Sequence, residues 1–318
     1  MPFLNFGMAG TARRVGRDSP ESLLDSYGNS DGIFQLGLTG ICANPACRSG
    51  WLHLFRNRTR PVLEGGWTCS NACTEECMRM AVRREIGGWA PVQEPYRHRI
   101  PLGLLMLEKG WITAPQLRRA VEAQRKTGNL RIGEWLVRQG AADEASVSRA
   151  LSMQWACPVL RLPEGRATLQ AGVIPRLFLE AFKALPVRTG GGKLLYLGFE
   201  ERKDTVLSFA VEKMTGVKVE SGIVPSSDFW NAYAKALSEV FPPVQFVEAV
   251  SEPAAAHALA RSIERVQPVN SRLVRVRNWL WLRMFLKPGI SIDPKVASVR
   301  DVICTIGPFD SSSTPLCR

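Results

Sequence analysis

The middle of the chain reads P-L-G-L-L-M-L-E-K-G-W-I-T-A-P-Q-L-R-R-A-V-E-A-Q over Pro101–Gln124, and this stretch decides the fold because it recurs. Thirty residues later, Arg131–Gln154 reads R-I-G-E-W-L-V-R-Q-G-A-A-D-E-A-S-V-S-R-A-L-S-M-Q. The identical residues at equivalent positions are Gly103/Gly133, Gly110/Gly140, Arg119/Arg149, Ala120/Ala150 and Gln124/Gln154. Such an internal duplication predicts two copies of one structural unit packed against each other.

Each copy is predicted to be a short helix, a glycine stop and a longer helix. Gly110 and Gly140 occupy the position just after the short helix, where a left-handed residue is needed. Thr113 with Gln116 predicts a capping box in the first copy, and Asp143 is the equivalent cap in the second. The repeat therefore predicts a four-helix subdomain of duplicated helical hairpins over residues 97–157.

The duplicated pattern R-L-G-x-x-(apolar)₂-x-x-G-(apolar)₂-x₄-L-x₃-L-x₂-Q resembles the N-terminal, MshEN-type domain of type II secretion and type IV pilus assembly ATPases. The similarity continues through I-P-R-L-F-L-E-A-F-K-A-L-P-V from Ile174 and through L-L-Y-L-G-F from Leu194, and covers residues 99–237. The resemblance implies a helix leading into a strand, then strand–helix–strand. An α/β subdomain over 158–245 would complete that domain.

The resemblance also implies a binding site for cyclic di-GMP, in which each copy grips one half of the two-fold symmetric ligand. Glycines allow close approach of the backbone, arginine offers charge and a planar face, and glutamine can pair a guanine edge. The first copy carries Pro101 where the family has arginine, and Arg99 is the nearby replacement. The implied ligand-binding residues are Arg99, Leu102, Gly103, Gly110, Gln124, Arg131, Gly133, Gly140 and Gln154. In the alternative, these residues only build the helical fold.

A cysteine cluster precedes the repeat, in a predicted zinc-finger-like domain over 37–90. The knuckles C-A-N-P-A-C and C-S-N-A-C are separated by 21 residues, a spacing that gathers four thiolates around one structural Zn²⁺. The predicted ligands are Cys42, Cys47, Cys69 and Cys73. Ser70 or Asn71 would cap the helix that follows, and W-T-C-S-N-A-C resembles the second knuckle of treble-clef fingers of the TRASH or MYM-like type. The alternatives are four free cysteines, two disulfides, or Cys77 or His53 as a replacement ligand.

Composition places limits on the class of protein. The chain has 318 residues, 45% of them apolar and 22% charged, which predicts a multidomain α+β globular protein. No apolar run is long enough to span a bilayer and no signal peptide is evident, so we expect a cytoplasmic protein without membrane insertion. The net charge of +12 raises nucleic-acid binding as an alternative. A contiguous basic face at Arg48, Arg56, Arg58 and Arg60 would favour it.

The ends of the chain carry weaker signals. Residues 1–36 are predicted to be a flexible leader, Pro91 and Pro95 mark a linker, and 307–318 are predicted to be a disordered tail. A small α+β unit is expected over 246–306. Within it, arginines interleave with two tryptophans, a pattern that suits either a strand pair with arginines facing water or a grip on single-stranded nucleic acid. These residues are Arg272, Arg275, Arg277, Trp279, Trp281 and Arg283.

The sequence as a whole predicts a regulatory or adaptor protein rather than an enzyme. The phosphate-binding motif G-x-x-x-x-G-K-[ST] does not occur, and T-G-G-G-K-L-L from Thr189 predicts a hairpin turn instead. We therefore expect a stand-alone copy of the ATPase N-terminal domain without the motor, which binds cyclic di-GMP or docks a protein partner. The alternative is a nucleic-acid-binding regulator that uses the zinc finger and the basic surface.

Overall fold

A computed structural model describes residues 42–48, 61–87, 99–162, 172–288 and 296–306, all within one compact unit that spans Thr39–Arg318. The fold is a mixture of helices and sheets, which confirms the α+β class. The predicted leader, linker and tail lie outside the described residues, as do His53, Arg56, Arg58 and Arg60. No helix in the described ranges is long and apolar enough to cross a membrane.

The repeat folds as two consecutive helical hairpins. Its helices are α2 (Leu102–Glu108), α3 (Ala114–Thr127), α4 (Ile132–Arg138) and α5 (Glu144–Trp155). Gly110 and Gly140 have φ of 68° and 64°, which confirms the predicted left-handed stops. The backbone N–H of Thr113 donates to Oε1 of Gln116 at 2.7 Å, and Asp143 accepts from the N–H of Ser146 at 2.8 Å. Both predicted caps are therefore present.

The helical subdomain has its own closed core, built from equivalent residues of the two copies. Met106 and Leu136, equivalent in the repeat, are fully buried, and so are Ala120 and Ala150. The α2 helix packs on α5 and α3 packs on α4, so each long helix contacts the short helix of the other copy. The duplication thus produces one core to which both copies contribute, the first copy with more buried residues than the second.

The next region combines a three-stranded sheet with helices. Its elements are α6 (Arg176–Phe182), β3 (Ala184–Gly190), β4 (Leu194–Phe199), α7 (Thr205–Thr215), β5 (Lys218–Ile223) and α8 (Ser226–Ser238). The sheet order is β3-β4-β5, with an antiparallel hairpin and then a parallel pair joined by α7. The hairpin predicted at Thr189–Leu195 is confirmed. The segment after α5 joins this sheet through a parallel bridge from Val159 to Ile223.

The C-terminal region is a four-stranded sheet with one helix. Its elements are β6 (Val244–Ala249), α9 (Glu252–Val266), β7 (Asn270–Val276), β8 (Trp279–Phe285) and β9 (Val299–Ile306), and the strand order is β6-β9-β8-β7. Alternate residues of β8 point to opposite faces. Leu280 and Leu282 lie in one core with α9, whereas Trp281 lies in the core of the α/β region. Both faces of this sheet are therefore covered.

The cysteine region, which we define as residues 42–48 and 61–87, packs directly onto the C-terminal sheet. It contains β1 (Val62–Leu63), β2 (Gly66–Trp67) and α1 (Asn71–Gly87). Met78 and Val82 of α1 are fully buried in the core that contains Leu259 of α9 and Leu282 of β8. Two regions treated separately at the sequence level, 37–90 and 246–306, thus share one hydrophobic core.

The expectation that the arginines of the β7–β8 pair face water is wrong for Arg275 and Arg283. Arg283 is fully buried and forms a two-pronged ion pair with Asp301, with both N–O distances at 2.8 Å. Nη1 of Arg283 also donates to the carbonyl oxygen of Val173 at 2.6 Å, and Trp281 Nε1 donates to Asp301 at 2.8 Å. Because side chains alternate along β8, Trp281 and Arg283 lie on the face covered by the α/β region. A buried polar or charged group there requires a hydrogen-bonding or ionic partner.

Candidate functional site

The structure brings together the four cysteines that the sequence predicts as metal ligands. The sulfur atoms of Cys42, Cys47, Cys69 and Cys73 all lie within 4.8 Å of one another. The Sγ atom of Cys69 is 3.5 Å from those of Cys47 and Cys73. Sulfurs held about 2.3 Å from a central Zn²⁺ in a tetrahedron would stand about 3.8 Å apart. The donor set and its spacing therefore fit a tetrahedral zinc ion.

Local hydrogen bonds hold the two knuckles in this arrangement. Asn44 Oδ1 accepts from the N–H of Ala46 at 2.9 Å, and Asn44 Nδ2 lies 3.4 Å from Sγ of Cys73. The N–H of Ala43 donates to the carbonyl oxygen of Trp67 at 2.7 Å, which fastens the first knuckle to β2. Donors around a coordinating sulfur are typical of metal centres, where outer groups orient the ligands.

The second knuckle is the start of α1. Ser70 Oγ accepts from the N–H of Cys73 at 3.3 Å, so Ser70 and not Asn71 is the cap. Burial raises the pKa of Cys42 to about 12, so this thiol is protonated at neutral pH in the metal-free protein. Metal binding would then release protons. Cys77, the predicted replacement ligand, is buried on α1, and burial raises the pKa of its thiol to about 11.

The two copies of the repeat begin in equivalent ways. Pro101 and Arg131 stand at the position just before α2 and α4, with extended backbone in both cases. Gly103 and Gly133 follow in the first turn of each helix. A Cβ atom on Gly103 would lie 2.5 Å from Leu117, and one on Gly133 would lie 2.9 Å from the equivalent Val147. These glycines therefore serve close packing within each hairpin.

The glutamines that end the two copies form equivalent bonds across the repeat. Gln124 Nε2 donates to the carbonyl oxygen of Leu130 at 3.1 Å, and Gln154 Nε2 donates to that of Ile100 at 2.8 Å. Each glutamine is thus hydrogen-bonded to the residue just before the other copy of the repeat. The bonds give both side chains a structural role, and they place the end of each copy beside the start of the other.

A cavity of about 210 Å³ lies at the start of the second copy. Arg131 lines it and forms an ion pair with Glu201. Its other lining residues include Leu102, Gly133 and the carboxylates Glu134, Glu144 and Glu200. Small-molecule sites usually enclose roughly 300–1,000 Å³, so this cavity would hold only part of a dinucleotide.

The carboxylates of this cavity also attach the helical subdomain to the α/β region. Glu144 on α5 accepts from the backbone N–H and Oγ of Ser227 at the start of α8. Glu200 accepts from Ser226 Oγ at 2.6 Å and from Trp230 Nε1 at 2.7 Å. Sequence reasoning missed these acidic residues. No motif contains Glu200 or Glu201, and the fold alone brings Glu201 to Arg131 and Glu200 to the same cavity.

At the start of the first copy, Arg99 stacks on Trp155. Its guanidinium carbon lies 3.5 Å from the ring centroid, and that of Arg202 lies 5.6 Å from the same ring. In a cation–π contact of this kind, the planar guanidinium lies against the face of the aromatic ring and is attracted to it. Arg99 is therefore held against an aromatic ring, whereas Arg131 is paired with a carboxylate in the cavity.

The arginines of β7 and β8 that suggested a nucleic-acid grip are engaged within the protein. Nη1 of Arg272 donates to the carbonyl oxygen of Lys213 at 2.9 Å, at the end of α7. Arg275 donates to the carbonyl oxygens of Arg277 and Ile86, and Arg277 pairs with Asp204. Together with the buried Arg283, these residues join the sheet to α1 and α7.

No protein-family model matches the chain. Over 148 residues, 45% of the chain, it is 28% identical to the type IV pilus assembly ATPase PilB of Myxococcus xanthus (strain DK1622). The match covers 25% of PilB, so the chain spans about a quarter of the length of this curated relative. The chain is similar in this part to a type IV pilus assembly ATPase.

Two solved structures are also similar to part of the chain. A structure of MshE with cdg is 24% identical, has a TM-score of 0.36, and covers 43% of this chain and 99% of its own. The N-terminal domain of XpsE is 19% identical, has a TM-score of 0.30, and covers 42% of this chain and 92% of its own.

Proposed function

We propose that this chain acts by binding rather than catalysis, as a regulatory or adaptor protein that binds cyclic di-GMP through its duplicated motif. Three features support the proposal: the resemblance of the repeat to the MshEN-type pattern, the sequence similarity to PilB, and the local geometry of the repeat. The geometric feature is the pair of equivalent bonds from Gln124 to Leu130 and from Gln154 to Ile100. A surface with two equivalent halves suits a ligand with two equivalent halves.

The charges around Arg131 shape how such a ligand would bind. Cyclic di-GMP carries two phosphate charges, and a site lined by several carboxylates repels it unless cations outweigh them. Arg131 is already paired with Glu201, so the ligand would have to replace that carboxylate. The proposal therefore includes a competition between Glu201 and the ligand for one guanidinium.

Calorimetric titration with cyclic di-GMP tests the proposal. Losing a charge-assisted contact costs roughly 1.5–3 kcal/mol, so Arg131→Ala should weaken binding by about 10- to 150-fold. Glu201→Gln should tighten binding because it frees Arg131, and Pro101→Arg should tighten it by adding the cation that the first copy lacks. Arg118→Ala, an exposed change on α3, is the matched control.

A single set of titration results would contradict ligand binding. If the wild-type protein, Glu201→Gln and Pro101→Arg all give no heat at high micromolar ligand, the motif does not bind cyclic di-GMP. The second candidate is then docking of a protein partner on exposed apolar residues of the same subdomain. Ile100 and Leu104 are about half exposed, at 51% and 52%. Leu104→Ser should then reduce partner binding, whereas Arg131→Ala should not.

We further propose that the four clustered cysteines bind one structural Zn²⁺. The residues that would hold it are Cys42, Cys47, Cys69 and Cys73, and their mutual spacing supports a closed, tetrahedral site. Protein purified without chelator should contain about one equivalent of zinc by elemental analysis. Cys69→Ser should lose it, and Cys157→Ser, which changes a cysteine outside the cluster, should keep it. Metal-free wild-type protein with α1 intact would refute the proposal.

A further inference from the structure

A second and larger cavity, about 760 Å³, lies between α5, α8 and the extended segment after α5. We call it the α5–α8 groove. Arg149 reaches it from α5, Arg161 from the extended segment, and Lys235 from α8. Its volume falls within the roughly 300–1,000 Å³ typical of small-molecule sites.

The α5–α8 groove has a strong excess of positive charge. Asp228 is its one carboxylate among the described residues, against the three cations. Within the described part of the chain, none of these cations forms an ion pair. Arg149 lies near Trp111, with 5.5 Å from guanidinium carbon to ring centroid, which leaves its N–H donors available. Unpaired cations that converge on one concave surface are a favourable environment for an anion.

The groove also has an apolar part. Val159 and Leu162 line it from the extended segment, and Ala232 lines it from α8. Val159 is 37% exposed, a large fraction for an aliphatic side chain on a strand-like segment. Asn231 adds an amide that can donate and accept hydrogen bonds. Cations, an amide and an apolar floor together suit a ligand that has a charged end and a planar or apolar end.

The cavity at Arg131 differs from the groove in charge and in volume. That cavity is smaller, and its single arginine faces several carboxylates, one of which it already pairs. The α5–α8 groove has the opposite balance of charge and more than three times the volume, at 760 against 210 Å³. An anion would meet unpaired cations in the groove, whereas beside Arg131 it would first have to displace Glu201.

We propose that the α5–α8 groove binds a phosphate-bearing small molecule of nucleotide size, with its phosphates at Arg149, Arg161 and Lys235. Planar guanidinium groups hold phosphate oxygens in pairs, and a lysine adds a mobile charge. The apolar floor would contact the base or an equivalent planar group. This site adjoins the cavity at Arg131, because Ser148 lines both, but its three cations line only the α5–α8 groove, so the proposal does not depend on cyclic di-GMP binding.

Titration of the full chain with ADP and with GDP tests this proposal, with adenosine as the uncharged probe and pyrophosphate as the phosphate group alone. Both diphosphates should bind, pyrophosphate should bind more weakly, and adenosine should show no binding. Arg161→Gln and Lys235→Gln should each weaken diphosphate binding by at least about tenfold. Arg261→Gln, an exposed charge change on α9, should leave it unchanged.

Each contrary result overturns the proposal. If neither diphosphate binds at millimolar concentration, the groove is not a phosphate site. Adenosine that binds as tightly as ADP would show that the three cations contribute nothing. An equal loss of affinity in Arg261→Gln and Arg161→Gln would show that only net charge matters. All three substituted side chains are exposed, so the variants should keep the melting temperature of the wild-type protein. Unchanged melting temperatures would exclude unfolding as the cause of any loss of binding.

Discussion

The helical subdomain and the cysteine region achieve stability in different ways. The helical subdomain closes its own core, with Met106 and Leu136 buried among residues of α2–α5. The cysteine region contributes Met78 and Val82 to a core that it shares with α9 and β8. We therefore expect the first to keep its structure when the cysteine region is perturbed. The second depends on residues that lie far along the chain.

Backbone and side-chain bonds add to this dependence. The N–H of Glu64 donates to the carbonyl oxygen of Ser271 at 2.8 Å, and Ser271 Oγ returns a bond to the carbonyl oxygen of Val62 at 2.8 Å. Arg83 of α1 also pairs with Glu252 of α9 at 3.1 Å. The cysteine region is thus attached to the C-terminal sheet and to α9, while its own two strands form a separate sheet. The difference teaches that a motif recognised in sequence need not be a separate folding unit.

If the cysteine cluster binds Zn²⁺ as proposed, removal of the metal should have the largest effect and should distinguish the two regions. Zinc contributes about 10–16 kcal/mol to the folding of finger peptides at neutral pH, so a chelator or Cys69→Ser should unfold much of the cysteine region. Hydrogen exchange should then increase in α1 and in β7–β9, which share its core, and should stay slow in α2–α5. Cys157→Ser is the control. Unchanged exchange in α1 after complete removal of metal would contradict this prediction.

The next largest effect is expected at the buried ion pair. Asp301→Ala would leave Arg283 buried without its partner, which typically costs about 3–5 kcal/mol. Urea denaturation should show this loss in the C-terminal sheet and the α/β region, because Arg283 also bonds to Val173. The exposed change Glu239→Ala should have little effect. A loss below about 1 kcal/mol for Asp301→Ala would mean that water reaches the guanidinium.

Local patterns predicted the helical subdomain well because its decisive contacts repeat within a short stretch. Glycine stops, caps and apolar positions recur at equivalent places, and each has a local physical cause. The four cysteines were also predictable, since metal chemistry restricts their spacing. The burial of Arg283 was not, because it depends on the strand pairing that brings Asp301 beside it and on Val173 from the α/β region. Glu201 was missed for the same reason: its contact with Arg131 exists only after two regions pack.

A matched pair of core truncations tests whether the two cores are separate. Leu136 and Leu282 are both fully buried, so changing either to alanine should cost about 2–5 kcal/mol. Leu136→Ala should accelerate hydrogen exchange only in α2–α5. Leu282→Ala should accelerate it in α1, α9 and the C-terminal sheet together. If Leu136→Ala also accelerated exchange in α1, the helical subdomain would not be the independent unit described above.

The smallest expected effect concerns the glutamines of the repeat. Gln124→Ala and Gln154→Ala each remove one hydrogen bond to a backbone carbonyl, at a cost of about 0.5–1.5 kcal/mol. Thermal melting of the helical subdomain should fall by similar amounts in the two variants, because the bonds are equivalent. An exposed substitution on the same surface, Lys126→Ala, provides the baseline. A much larger loss for one glutamine would show that the two halves differ in strength.

The two glutamine bonds form a ring of contacts, in which the end of each hairpin meets the beginning of the other. Because the two bonds are reciprocal, the order of the two hairpins along the chain does not decide which pairs form. A rearranged chain with the second copy ahead of the first would make the same bonds. Two identical chains with one hairpin each could also make them. In these two bonds, the subdomain has the reciprocal pairing of a two-fold dimer within a single polypeptide.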